Sequence, residues 1–290
     1  MASVAAQPAI HPWDPKGTFS AANIPGLGLP LKLQDLDLAS HTYNALPPIE
    51  EQAKLHGSQH IKALLAIINS HNMGNFFGVH SLHRHSKVPE GTVRLEAKVP
   101  GVPDMKWNRT TVNTEELLAG DGMHATFFKV EGNTLVAFEF AKGPSPLNGQ
   151  KLPSQFIIDI IQYLIKHDLT NMIAIEVGDF SEIRAMDAVL TGELEVVWGP
   201  TKEEFTVVVP FDRIVDGVAE PILTGWNVKD GSQGNMDSEP PAGQSWAKAV
   251  VGTKETHKVF VSKPHNAKDV TPELLNKALV DIGVIKFSSY

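Results

Sequence analysis

The alternation of apolar and polar positions separates an irregular beginning from a body of helices and strands. Between Pro48 and Asn72, apolar residues fall at Leu55, Ile61, Leu64, Leu65 and Ile68. That is the spacing of one helix face. Glu50 and Glu51 sit where the helix dipole favours acids, and Asn72 and Gly74 are natural stops. FFGVHSLHRH then reads as extended, and with VRLEAKV after a Pro-Glu-Gly turn it predicts a hairpin. A clearer hairpin joins MHATFFKV to TLVAFEFA across Glu131, Gly132 and Asn133. Ser154 is expected to cap a helix reaching about His167, with Phe156, Ile157, Ile160, Ile161 and Leu164 as its buried stripe. NMIAIEV, LTGELEVVWGP, EEFTVVVPF and KETHKVFVS read as strands, the middle two joined at Pro200, Thr201 and Lys202. TPELLNKALVDIG is a last helix, with Thr271 as cap and Pro272 in its first turn. Few β-α-β units are visible, so the fold class is α+β: a mainly antiparallel sheet or barrel-like core with flanking helices.

Residues 1–48 are rich in Pro, Gly and Ala and carry turn signals in IPGLGLPLKL and NALPPIEE. They are read as an extended N-terminal arm packed on one α+β domain, residues 49–290. Residues 229–245 form a polar loop long enough to be either mobile or functional.

Composition narrows the partners. The formal net charge is −8 with no Lys/Arg run, which argues against a nucleic-acid partner. No apolar run approaches the roughly 18–20 residues that cross a bilayer, and the beginning of the chain lacks the pattern of a signal peptide. With no cysteine in the sequence, disulfides, thiolate metal sites and cysteine nucleophiles are excluded, and a cytoplasmic setting is expected. No Gly-rich phosphate cradle and no nucleophile elbow is present. A small-molecule ligand is the expected partner.

Candidate chemistry is concentrated in FFGVHSLHRHSKVPEGTVRLE, which holds His80, His83, His85, Glu90 and Glu96. Residues two apart on a strand share a face. His83 and His85 therefore project together, about 6–7 Å apart by strand geometry, with Arg84 on the other side. His80, three residues before His83, falls on the opposite face. Three imidazoles and a carboxylate suit a divalent transition metal such as Fe, Mn, Ni or Zn, which polarises a carbonyl or activates water. Without a metal, the same pair can split the roles of general acid and base. The expected metal ligands are His83, His85, His124 and Glu90. The expected catalytic residues are His83, His85 and Glu139, although alternation turns Glu139 away from Phe138 and Phe140. His56 and His60 share a helix face four residues apart, Asp121 and His124 can pair around a turn, and Asp159 is a charge on an otherwise apolar helix. Trp107, Trp198, Trp226 and Trp246 are read either as core or as walls of an apolar pocket.

Two resemblances follow from these residues. The order His83-x-His85-x4-Glu90 looks like the first motif of cupin metal sites, β-barrels that add a later histidine, for which His124 is the candidate. Gly78 stands five residues before His83, where that motif has its glycine six before, and a second cupin motif is not recognisable around His124. FGVHSLHRHSKVPEG, LVAFEFAKG and the Trp of TGW resemble a large group of fungal proteins of about this length that has no assigned activity. Carried over, this resemblance marks His83, Arg84, His85, Gly91, Glu139, Phe140 and Trp226; Thr92 stands where the group has glutamate. The expectation is a small-molecule enzyme of lyase, cyclase or isomerase type, in a fungal biosynthetic setting. The alternative is a non-catalytic small-molecule-binding or interaction protein.

Overall fold

Along the strands, every second residue is apolar and meets a helix, while the residues between face the other way. In Thr191–Trp198, for example, Leu194, Val196 and Trp198 join an apolar core and Glu193 and Glu195 do not. The computed structural model describes residues 23–51, 59–119, 122–181, 191–199, 201–215, 222–228, 245–251, 258–261 and 270–287. Its helices are α1 (Leu33–Asn44), α2 (Gln59–Ser70), α3 (Glu115–Leu118), α4 (Ser154–Lys166) and α5 (Pro272–Asp281). Its strands are β1 (Phe77–Ser81), β2 (Thr92–Val99), β3 (Val102–Val112), β4 (Met123–Glu131), β5 (Thr134–Lys142), β6 (Ile173–Val177), β7 (Thr191–Trp198), β8 (Glu203–Pro210), β9 (Ile222–Val228), β10 (Ser245–Val251) and β11 (Lys258–Val261).

The strands form one mixed sheet in the order β10-β9-β1-β6-β4-β5-β2-β3-β8-β7-β11. Parallel pairing occurs at β2–β5, β10–β7 and β11–β7. β7 takes β10 along residues 191–194 and β11 along residues 195–198, so the two ends of the order meet there without making a simple closed barrel. The class is α+β, as the pattern predicts. Helices cover one face through two apolar cores. In the first, α1, α2 and α4 pack on β1, β2, β4, β5, β6 and β9. In the second, α5 packs on β3, β7, β8 and β11 through Leu275, Ala278 and Leu279.

Several local expectations hold. The β4–β5 hairpin turns at Gly132, whose φ is 60°. The buried stripe of α4 is the one read from spacing. Thr271 accepts from the Leu274 N–H at the start of α5. Asn72 ends the α2 region at φ 57°, a left-handed conformation asparagine tolerates.

Others are corrected. Residues 33–44 of the expected arm form α1, because Leu36, Ala39 and Tyr43 bury one of its faces. Ser154 is the first helical residue of α4, and Pro153 is its cap. β1 does not pair with β2; it lies between β6 and β9. β2 turns instead into β3, through Gly101 at φ 71°. Residues 229–244 and His56 lie outside the described residues, and Ser245 already begins β10.

Candidate active site

His83 and His85 sit just beyond β1, which ends at Ser81. What holds them is the segment after α1. Arg84 N–H donates to the Pro47 carbonyl and Arg84 Nε to the Leu46 carbonyl. His85 N–H donates to the Tyr43 hydroxyl. The Asn44 amide donates to the Val88 carbonyl and accepts from the Val88 N–H, at 2.9 and 2.8 Å. Residues 82–88 are thus tied to the end of α1 and the residues that follow it, with an isolated bridge between Arg84 and Pro48. The period-two reading therefore survives outside a regular strand. His83 and His85 turn into one cavity, and Arg84 turns to its carbonyl partner.

That cavity is lined by His80, Ser81, His83, His85, Glu96, Asn108, Phe127, Phe138, Glu139, Glu193, Thr206 and Val208. These residues come from β1–β5, β7, β8 and the segment after β1. Tyr43, Leu46, Leu82, Val88, Phe138 and Ala174 form a separate apolar cluster beside it. His80 shares the cavity, contrary to the alternation from His83, because the chain leaves the strand between them. The Ser81 carbonyl accepts from Nδ1 of His80 at 2.9 Å and from Nδ1 of His83 at 3.0 Å. A carbonyl only accepts, so both Nδ1 atoms carry protons, and in the neutral ring the lone pair stands on Nε2. The two rings stack with centroids 5.2 Å apart, and His85 meets His83 edge-on at 4.9 Å.

Glu193 completes the set. Ligand-capable atoms of His83, His85 and Glu193 all lie within 4.8 Å of one another. Around a four-coordinate metal with ~2 Å bonds, such atoms are about 3.3 Å apart, so side-chain rotation by an ångström or so would close the set. His85 lies between two carboxylates, 4.0 Å from Glu193 and 3.9 Å from Glu195. Glu195 in turn meets Lys258 at 3.1 Å, and Lys258 meets Glu204 at 3.0 Å. Burial pushes the Glu195 carboxyl up to about 7, against the pull of Lys258 and Arg94. Burial also acts to lower Lys258, but Glu195 and Glu204 outweigh it and its pKa is raised. Burial pushes the Tyr43 hydroxyl well above its ordinary range, so it stays protonated behind His85.

Glu139 reaches the cavity, where it accepts from the Asn108 amide at 2.9 Å. Its flanking residues are not on one side, as alternation implies. Register shifts around Phe127 let Phe138 share the cavity while Phe140 enters the first core. The structure does not bring the other expected ligands to this centre. Glu90 is exposed on the turn before β2. His124 Nδ1 bonds the Gly143 carbonyl at 2.9 Å, and His124 is not among the cavity-lining residues. The ligand set implied by the cupin resemblance therefore does not assemble, and Glu193 takes the carboxylate place. Thr92 closes the preceding turn, donating to the Pro89 carbonyl. His60 bonds the Tyr163 hydroxyl, Asp159 bonds His71, and Trp107, Trp198 and Trp226 are core residues.

The residues missed from sequence are Glu193, Glu195, Arg94 and Asn108. Arg94 is 1% exposed and donates to the Thr206 hydroxyl. The signal was present in GELEVV and VRLEA, where charges recur at every second position of strands that are otherwise apolar. Such a pattern marks a face lined with polar groups as readily as one turned to water.

No protein-family model, curated protein or solved structure matches the chain. Among the described residues, no helix is long and apolar enough to cross a membrane.

Proposed function

We propose that the chain is a small-molecule enzyme of lyase, cyclase or isomerase type, built on a divalent transition metal held by His83, His85 and Glu193. One observation carries this reading: three donor atoms from two separate segments lie within 4.8 Å of one another. The donor set, two imidazoles and one carboxylate, suits a metal that keeps open positions for substrate. The Ser81 carbonyl supports it by leaving the His83 lone pair on Nε2, the oriented tautomer a metal requires. A bound metal would supply Lewis acidity toward a substrate oxygen. Glu139, steadied by Asn108, and His80 are the cavity groups placed to move protons. A fungal biosynthetic setting belongs to the same proposal; the likeness of the His83-Arg84-His85 segment to the fungal group supports the fungal part of it.

Metal analysis of the purified full chain tests it. One equivalent of a transition metal is expected, removable by chelator and restored by adding it back. The double change His83→Ala/His85→Ala and the single change Glu193→Gln should each lower metal affinity by about tenfold or more. A protein that takes up no metal, or binds it equally well after these changes, overturns the reading.

A further inference from the structure

One face of β9, β1 and β6 carries polar groups that the metal centre does not use. Gly78 pairs with Asn227 on one side and Glu176 on the other; His80 pairs with Gly225 and Ala174. The intervening residues Phe77, Val79, Ile175, Val177, Trp226 and Val228 belong to the helix-covered core. The paired residues therefore share the face of His80. Three have little or no side chain, so Asn227, His80 and Glu176 stand on a floor of nearly bare backbone.

Asn227 lies directly over that floor. A Cβ at position 78 would come within 1.9 Å of its Oδ1, so glycine is what leaves room for the amide. Asn227 is 1% exposed. Among the described residues, neither its Oδ1 nor its Nδ2 has a hydrogen-bond partner. Folded proteins rarely leave both atoms of a buried amide unpaired, because the group has given up its water for nothing. The floor adjoins the cavity: His80 belongs to both, and Phe127, a cavity residue, pairs with Glu176.

We propose that Asn227, seated over Gly78, is a subsite for an uncharged head group presenting both a donor and an acceptor, a carboxamide or hydroxyl, on the small molecule that enters the cavity. An asparagine amide and a carboxamide pair through two hydrogen bonds, and the Glu176 carboxyl beside them accepts a further donor. A carboxylate offers no donor to Oδ1 and would stand next to that carboxyl. The proposal rests on the proposed function only in assigning both places to one molecule.

Its test is made on the full chain stripped of metal with EDTA, so that it does not depend on the metal centre. Propionamide, with propionate as its anionic counterpart, is titrated while thermal unfolding is followed. Propionamide is expected to raise the melting temperature of the parent, and propionate is not. Asn227→Ala and Asn227→Leu should weaken the apparent propionamide affinity about fivefold or more. At least one of the two, the smaller or the larger side chain, should melt no lower than the parent, because each removes an amide without partners. An unaltered propionamide response in both variants, no response in the parent, or an equal response to propionate overturns the proposal. So does a large drop in melting temperature shared by both variants, which would show the amide satisfied within the protein. His83→Ala/His85→Ala should keep the propionamide response, so the two readings fail separately.

Discussion

The Ser81 carbonyl faces two imidazoles, and that oxygen decides where their protons sit. Glu195 shows how burial acts on a single group. Its carboxyl is raised from an ordinary 4.5 to about 7 by burial, with Lys258 and Arg94 opposing. The folded chain therefore holds this proton more tightly than the unfolded chain does. The resulting stability is complete below about pH 4.5 and is lost as pH rises through about 7. Glu195→Gln removes that dependence. Urea unfolding of metal-free protein at pH 5 and pH 8 should show the variant gaining on the parent by up to about 3 kcal/mol at the higher pH. A stability difference that stays constant between the two pH values would contradict it.

At the scale of elements, the histidines depend on two segments lying side by side, the end of α1 with the residues to Pro48, and residues 82–88. Asn44 ties them twice, since its amide satisfies both backbone polar groups of Val88. Asn44→Ala should cost about 1–3 kcal/mol of stability and weaken metal binding several-fold, read by denaturant unfolding and metal titration. Destabilisation with unchanged metal affinity would show that the tie does not position the histidines. The same two segments explain what the sequence could and could not disclose. His83 and His85 were legible as a pair because extended backbone of any kind alternates. α1 was not, because LQDLDLASHTYN buries Ser40 and Thr42 alongside Leu36 and Ala39, which blurs an apolar stripe. Glu193 was not linked to the histidines because β7 reaches them only through tertiary folding, more than a hundred residues further along the chain. The β4–β5 hairpin and the α4 stripe were legible, since both are set by neighbours in sequence.

Across the whole molecule, the helix-covered apolar cores and the polar cavity groups occupy opposite faces of one sheet. The cores under α1, α2, α4 and α5 hold the apolar positions, while the carboxylates, imidazoles and Arg94 stand on the alternate ones. Leu279 of α5 is fully buried in the second core. Leu279→Ala should cost about 2–5 kcal/mol while leaving metal stoichiometry unchanged, as calorimetry and metal analysis would show. Loss of metal in a variant that is still folded would mean the two faces are coupled. The order of strands was hidden in the sequence for the same reason as Glu193: β1 finds β6 and β9, not its neighbour β2, and no local pattern encodes that choice.

The two-faced strands also bear on how such a protein can change over generations. In β7, Leu194 and Val196 answer to packing, whereas Glu193 lines the cavity and Glu195 meets His85 and Lys258. Substitutions at the second set change what surrounds the histidines, and substitutions at the first set change the packing under α5. One strand thus carries two messages, and each is open to selection on its own terms.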